Sequence, residues 1–173
     1  RYADKLGFGR MNAFKAVSNS TKPGIKFINK KLSDNNDDVF ALGDTIRVSG
    51  AFRNFLNNAK NVSVTISTVG NKLQILNPTQ SLGNIDQLDS VSIRSTPFEM
   101  IVQPGIDFNE KIDVLMTITA DNYIKKQYFE LTANVNYITV SENNLTLSIS
   151  SDGGIGFGGD RSNLGAGIKH LNG

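Results

Sequence analysis

The chain has 173 residues, a formal net charge of +2, 39% hydrophobic and 20% charged residues, a composition that supports a buried core and excludes wholesale disorder. It has no cysteine, which excludes disulfides, thiol catalysis and cysteine-based zinc sites. No apolar run reaches the roughly 18 residues a membrane span needs. The basic residues are scattered, with Lys30-Lys31 and Lys125-Lys126 the densest runs, which argues against a nucleic-acid partner.

The chain opens mid-pattern on Arg1-Tyr2-Ala3-Asp4 with no visible secretory leader, so it reads as a piece of a longer precursor. Residues 1–20 are expected to be helical. Met11, Phe14 and Val17 fall at helical spacing with Ala13 and Ala16 between them. Gly7 and Gly9 suit a tight turn into that helix, and Ser18-Asn19-Ser20 would end it. Residues 21–38 read as a linker, through Pro23-Gly24 and the hydrophilic run Ser33-Asp34-Asn35-Asn36-Asp37-Asp38.

From about 39 to 140 the pattern changes to period two. Ile46 and Val48 alternate with Thr45, Arg47 and Ser49; Val62, Val64 and Ile66 with Ser63, Thr65 and Ser67; Val91 and Ile93 with Ser92 and Arg94. Phe98, Met100 and Val102 share a face, then Ile112, Val114, Met116 and Ile118, then Phe129, Leu131, Ala133 and Val135. Such alternation makes strands with one buried and one wet face, and the β-branched content supports strand over helix. Turn chemistry separates them at Leu42-Gly43-Asp44, Leu56-Asn57-Asn58, Val69-Gly70-Asn71, Asn77-Pro78, Gly83-Asn84, Pro104-Gly105 and Asp121-Asn122. Six or seven short strands predict a mainly β fold, an antiparallel immunoglobulin-like β-sandwich with a short N-terminal helix. With no Cys and no Trp, its core rests on aliphatic and Phe packing. Residues 141–173 read as the start of a further β module, with a strand from Asn144 to Ser150, or as a glycine-rich tail.

The run Leu6-Gly7-Phe8-Gly9-Arg10-Met11-Asn12-Ala13-Phe14-Lys15-Ala16-Val17 resembles the end of a catalytic domain of the subtilisin-like serine proteases, the subtilases. That pattern is Gly-x-Gly, a basic or apolar residue, an aliphatic, Asn or Asp, Ala, two variable positions and Ala. It covers about a dozen residues, and the two glycines and small alanines suit a closely packed terminal helix. The stretch Ala41-Leu42-Gly43-Asp44-Thr45-Ile46-Arg47-Val48, with Asn54, Asn57 and Ala59 to Ile66, resembles the bacterial sandwich modules related to CARDB domains, through looser motifs over about 100 residues. Together the resemblances imply a secreted or cell-surface bacterial protein. Residues 1–20 would be the last helix of an upstream catalytic domain, 21–38 a linker and 39–140 an accessory sandwich.

The chemistry tested residue by residue assigns no site. A subtilase needs an Asp, a His and a Ser together, and the family places all three upstream of its closing helix. Here the one histidine is His170, near the chain's end, and no Gly-Thr-Ser nucleophile motif occurs. Gly154-Ile155-Gly156-Phe157-Gly158-Gly159 matches a dinucleotide fingerprint formally, but lacks the following helix and distant acidic residue. The carboxylates from Asp34 to Asp38 are of the type that binds calcium, yet the loop lacks the glycine and terminal glutamate of an EF-hand and reads as solvated linker. The sequons at Asn19, Asn61 and Asn144 carry little meaning in a bacterial protein. No catalytic, cofactor-binding or metal-ligating residue is therefore assigned, calcium being the one cofactor with any candidate. The partners expected are the upstream catalytic domain and a protein substrate or cell-surface ligand. The alternative reading is a stand-alone extracellular adhesin or carbohydrate-binding module, for which Tyr123, Tyr128 and Tyr137 would be the stacking candidates.

Overall fold

The computed structural model describes residues 21–150 other than Asn35 and Asp37, together with Ile155 and Gly156. The helix expected over residues 1–20 lies outside the described residues. Among those described the chain is all strand and loop, and no helix is long and apolar enough to cross a membrane.

Nine strands form two antiparallel sheets. The first contains β1 (Ile25–Ser33), β2 (Thr45–Asn54), β7 (Phe98–Val102) and β4 (Leu73–Ile75) in the order β1-β2-β7-β4, and β6 (Ser90–Ser92) also pairs with β2. The second has the order β5-β3-β8-β9, from β5 (Thr79–Ile85), β3 (Ala59–Thr68), β8 (Glu110–Ala120) and β9 (Tyr123–Ala133). Alternation dictates which side chains meet. Ile46, Val48 and Phe52 of β2 with Phe98, Met100 and Val102 of β7 are buried on one sheet. Val62, Val64 and Ile66 of β3 with Ile112, Val114, Met116 and Ile118 of β8 are buried on the other. All belong to one continuous apolar cluster.

Asparagines let the pattern skip a beat. In β1, Asn29 and Lys30 together oppose Gly50, because Ile28 pairs with Ala51 and Lys31 with Ser49. Asn29 takes φ 52° at this bulge, a left-handed conformation that asparagine tolerates better than most residues. The extra residue returns Leu32 to the core side after Phe27. Asn61, at φ 54°, does the same in β3, so Ala59 and Val62 are both buried although three positions apart. Gly50 has a second constraint. A β-carbon there would lie 2.7 Å from two Phe27 ring carbons and 2.9 Å from the Ile28 carbonyl oxygen. Gly50→Ala is expected to cost about 1–3 kcal/mol of stability through overpacking, read as a lower urea midpoint with an unchanged slope.

The edges of the two sheets are joined by side chains standing in for a strand. The Phe27 amide donates to Gln127 Oε1 at 3.1 Å, while Gln127 Nε2 donates to the Phe27 carbonyl at 3.2 Å. The Ile25 amide donates to the Tyr123 hydroxyl oxygen at 3.1 Å. These bonds satisfy edge groups of β1 that β2 does not reach. Elsewhere Lys72, just ahead of β4, pairs with Glu110 of β8.

One polar side chain is buried at the end where β2 leaves its sheet. Asn54 is 0% exposed. Its Oδ1 accepts from the Gly24 and Leu56 amides at 3.0 and 3.3 Å, and its Nδ2 donates to the Asn57 and Ile85 carbonyls at 2.7 and 3.0 Å. All four bonds an amide side chain can make are therefore formed, and they fasten three loops.

A third sheet, β10 (Tyr137–Glu142), β11 (Leu145–Ser150) and β12 (Ile155–Gly156), follows β9. Its hairpin turns on Asn143, at φ 53°. Ile138 opposes Ile149 and Val140 opposes Leu147, so these aliphatics share one face. On the other face Thr139 and the fully buried Ser148 bond through their hydroxyls at 2.9 Å.

Two expectations change. Residues 21–38 are not simply a linker: β1 lies within them, pairs along β2 and buries Ile25 and Phe27. Its short apolar pattern is interrupted by the bulge, which hides the alternation. β10 runs across residue 140 and pairs with β11 rather than with either main sheet. Gly83-Asn84 is no turn between strands; Gly83, at φ 72°, sits inside β5, where the register with β3 shifts.

Candidate functional site

The wet face of the first sheet carries a polar recess built from several strands. Register places Ser33 opposite Arg47, and Arg47 opposite Glu99, so one row crosses β1, β2 and β7. All three positions alternate with core residues and must face outward. Arg47 Nε donates to Glu99 Oε1 at 2.9 Å, which fixes both side chains at the floor. The connection from β6 to β7 forms the wall, where Gln80 Nε2 donates to the Thr96 carbonyl at 2.8 Å. The resulting open groove, about 420 Å³, is lined by Ser33, Arg47, Ser49, Arg94, Ser95, Pro97 and Glu99. A second recess of about 540 Å³ lies against the same Ser95–Pro97–Glu99 segment and is completed by Asn77, Thr79, Gln80, Ser81 and Thr96.

The lining sets what such grooves can do. Hydroxyls, amides and two guanidiniums offer directional hydrogen bonds, and Arg47 already shares its charge with Glu99. No histidine or cysteine lines either groove, and their one carboxylate is that of Glu99. The arrangement suits reversible binding of a polar ligand by hydrogen bonds, with Arg94 able to meet an anionic group in planar, bidentate fashion.

The residues weighed from sequence are not brought together. His170, Gly154, Phe157, Gly158 and Gly159 lie outside the described residues. Ile155-Gly156 is β12, a strand antiparallel to β11. Asp34 closes its own loop, its Oδ1 accepting from the Asn36 and Asp38 amides at 2.8 and 3.1 Å. Among the described residues no group of three His, Cys, Asp or Glu side chains is placed to hold a metal ion.

The three tyrosines form no row. Along β9, Tyr123, Lys125 and Gln127 oppose Ala120, Ile118 and Met116, on the core side, whereas Tyr128 opposes Leu115 on the outer face. Tyr137 belongs to β10 in the third sheet. Tyr123 is half-buried, and that burial raises its phenol pKa against the opposing effect of its bond from the Ile25 amide. Burial likewise lowers the pKa of the Lys125 amine, with the nearby Lys26 charge adding to it. Both side chains serve the junction of β1 with β9. The groove residues carried no sequence signal beyond wet-face alternation, because the register that aligns Ser33, Arg47 and Glu99 is set by pairings 14 and 52 residues apart.

No family model matches the chain, and a search of curated proteins finds no match. Among solved structures, a family 123 glycoside hydrolase from Clostridium perfringens, described for its hydrolysis of glycolipid glycans, is similar with a TM-score of 0.39 and 15% identity. The match covers 66% of this chain and 27% of that one, so the chain spans about a quarter of that protein's length. A likeness of that size carries no conclusion about fold or activity.

Proposed function

We propose that the chain is a non-catalytic accessory region of a secreted, bacterial subtilisin-like serine endopeptidase. In this reading residues 1–20 are the terminal helix of the upstream catalytic domain, and the two main sheets are an immunoglobulin-like, CARDB-like β-sandwich that supports folding, substrate positioning or surface attachment. The observation that carries it is the dense run Gly7-Phe8-Gly9-Arg10-Met11-Asn12-Ala13 with Ala16, directly ahead of an all-β region. Two antiparallel sheets over one apolar core suit such a module, and grooves rich in hydroxyl groups suit weak polar contacts with a polypeptide or surface ligand. The chain itself hydrolyses nothing, and its first partner is the catalytic domain of the same polypeptide. A serine-directed phosphonate tests this on two samples, the full-length parent and residues 1–173 alone. Labelling of the parent but not of the fragment is expected. A label on a serine within the fragment, or none on the parent, contradicts it.

The stand-alone adhesin or carbohydrate-binding reading is favoured by one feature, the groove holding Arg47 and Arg94. Guanidiniums of that kind suit acidic sugars. A glycan array that responds to this fragment, and loses the response in Arg94→Ala, would transfer weight to it.

A further inference from the structure

Strand register gathers cations that are scattered in the sequence onto the outer face of the first sheet. Positions that alternate with the buried core residues of β1 and β2 form its rows. At one end Arg47 stands between Ser33 and Glu99, and Lys31 stands beside Ser49 in the next row. Ile28, Ala51 and Ser92 make the third row, and Lys26 with Arg53 the fourth. Arg94 joins the first end. The neighbouring Ile93 amide donates to the Gly50 carbonyl at 3.0 Å, and Arg94 lines the groove with Arg47.

Lys26, Lys31, Arg47, Arg53 and Arg94 are thus set against a single carboxylate, Glu99, in a chain whose net charge is +2. Arg47 bonds Glu99 through Nε alone, and the other four cations have no carboxylate partner among the described residues. Arg53 rests over the Phe55 ring, 5.2 Å from its centroid. Uncompensated like charges on one face work against the fold, and they raise both the capture rate and the selectivity for an opposite charge.

The rest of the face selects among polyanions. No aromatic side chain stands in the four rows, so nucleotide bases and sugar rings have nothing to stack on. The half-buried Ile28 and Ala51 make an apolar step between cationic ends, which an aliphatic side chain covers. From Arg47 to Arg53 the face runs about 20 Å, the span of roughly seven extended residues.

We infer that this face binds an extended acidic segment of a polypeptide partner. Its carboxylates meet the rows of Arg47 and Arg94, of Lys31, and of Lys26 and Arg53, and an aliphatic side chain covers Ile28 and Ala51. The inference rests on the proposed function only in taking polypeptide as the partner class. It is tested on this chain alone, so its failure and that of the phosphonate labelling of the parent are separate results.

Fluorescence anisotropy of the labelled peptide Glu-Ser-Glu-Ser-Val-Ser-Glu, titrated with the whole chain, tests it. At low salt this peptide is expected to bind at least about tenfold more tightly than its counterpart with Gln at each Glu, and to weaken as added salt shortens the Debye length. Lys31→Glu with Arg94→Glu should lose at least about tenfold in affinity at an unchanged urea midpoint, and should gain affinity for the counterpart with Lys at each Glu. Lys26→Glu with Arg53→Glu should do the same, and decides the matter if the first pair lowers the midpoint. Lys60→Glu with Lys126→Glu, on the second sheet, should stay within about twofold of the unmodified chain. No saturable binding below about 1 mM overturns the inference. So does equal affinity for the Glu and Gln peptides, an equal loss in the Lys60 and Lys126 variant, or tighter binding of polygalacturonate or single-stranded DNA than of the peptide.

Discussion

Asn54→Asp is expected to destabilise the protein by at least about 3 kcal/mol at neutral pH, from two lost charge-free bonds and the desolvation of a buried acid. The substitution keeps the size of the side chain and reverses one polarity. Where Nδ2 now donates to the Asn57 and Ile85 carbonyls at 2.7 and 3.0 Å, an oxygen would face two oxygens. The site is fully buried, so water cannot take over either bond. Such an environment raises the folded pKa of the new carboxyl above its unfolded value of about 3.9. Its stability deficit is therefore smallest below that value and grows as pH rises through the raised folded pKa. Urea unfolding at pH 4 and pH 7 checks both the size and the trend. A deficit under about 1 kcal/mol at pH 7, which is the worth of one ordinary hydrogen bond, would mean that Asn54 does not hold the three loops.

Phe52→Ala is expected to cost about 3–5 kcal/mol, the usual range for emptying a buried aromatic site. Phe52 is 0% exposed and stands at the centre of a row, with Phe27 opposite it on β1 and Val91 opposite it on β6. Its ring lies 4.8 Å from that of Phe27, tilted by 32°, a geometry that adds to area burial alone. Phe27 cannot collapse far into the void, because it already rests on the bare α-carbon of Gly50. Little relaxation means a cost near the upper end of that range. Val69, 86% exposed in the turn after β3, is the control, and Val69→Ala should stay within about 0.5 kcal/mol of the unmodified protein.

The parts of the fold that were legible in sequence are those where every second residue is aliphatic. β2, β3, β7 and β8 fall where Ile46, Val64, Met100 and Met116 place them. The first half of β9 was not legible, because its core-side positions are Tyr123, Lys125 and Gln127. Those residues face inward to meet an edge strand, and a polar side chain on that side breaks the alternation. β1 was hidden by the bulge at Asn29, and β10 by an inverted pattern in which Ile138 and Val140 face solvent. β4 and β6 span three residues each, too few for any period to register. Turn chemistry read well at Gly43, Gly70 and Gly105, all at positive φ, and misread Gly83, since a bulge and a turn ask for the same residue. The grooves beside Pro97 were illegible for a different reason: serine, threonine and arginine on a wet face look alike until strand register brings distant positions into one row.

The most direct test of the functional account is the coding DNA upstream of the codon for Arg1. The account predicts a peptidase domain in frame there, with an Asp, a His and, shortly before Leu6, a Gly-Thr-Ser nucleophile motif. A secretory leader joined straight to Arg1, with no such domain between, would contradict it.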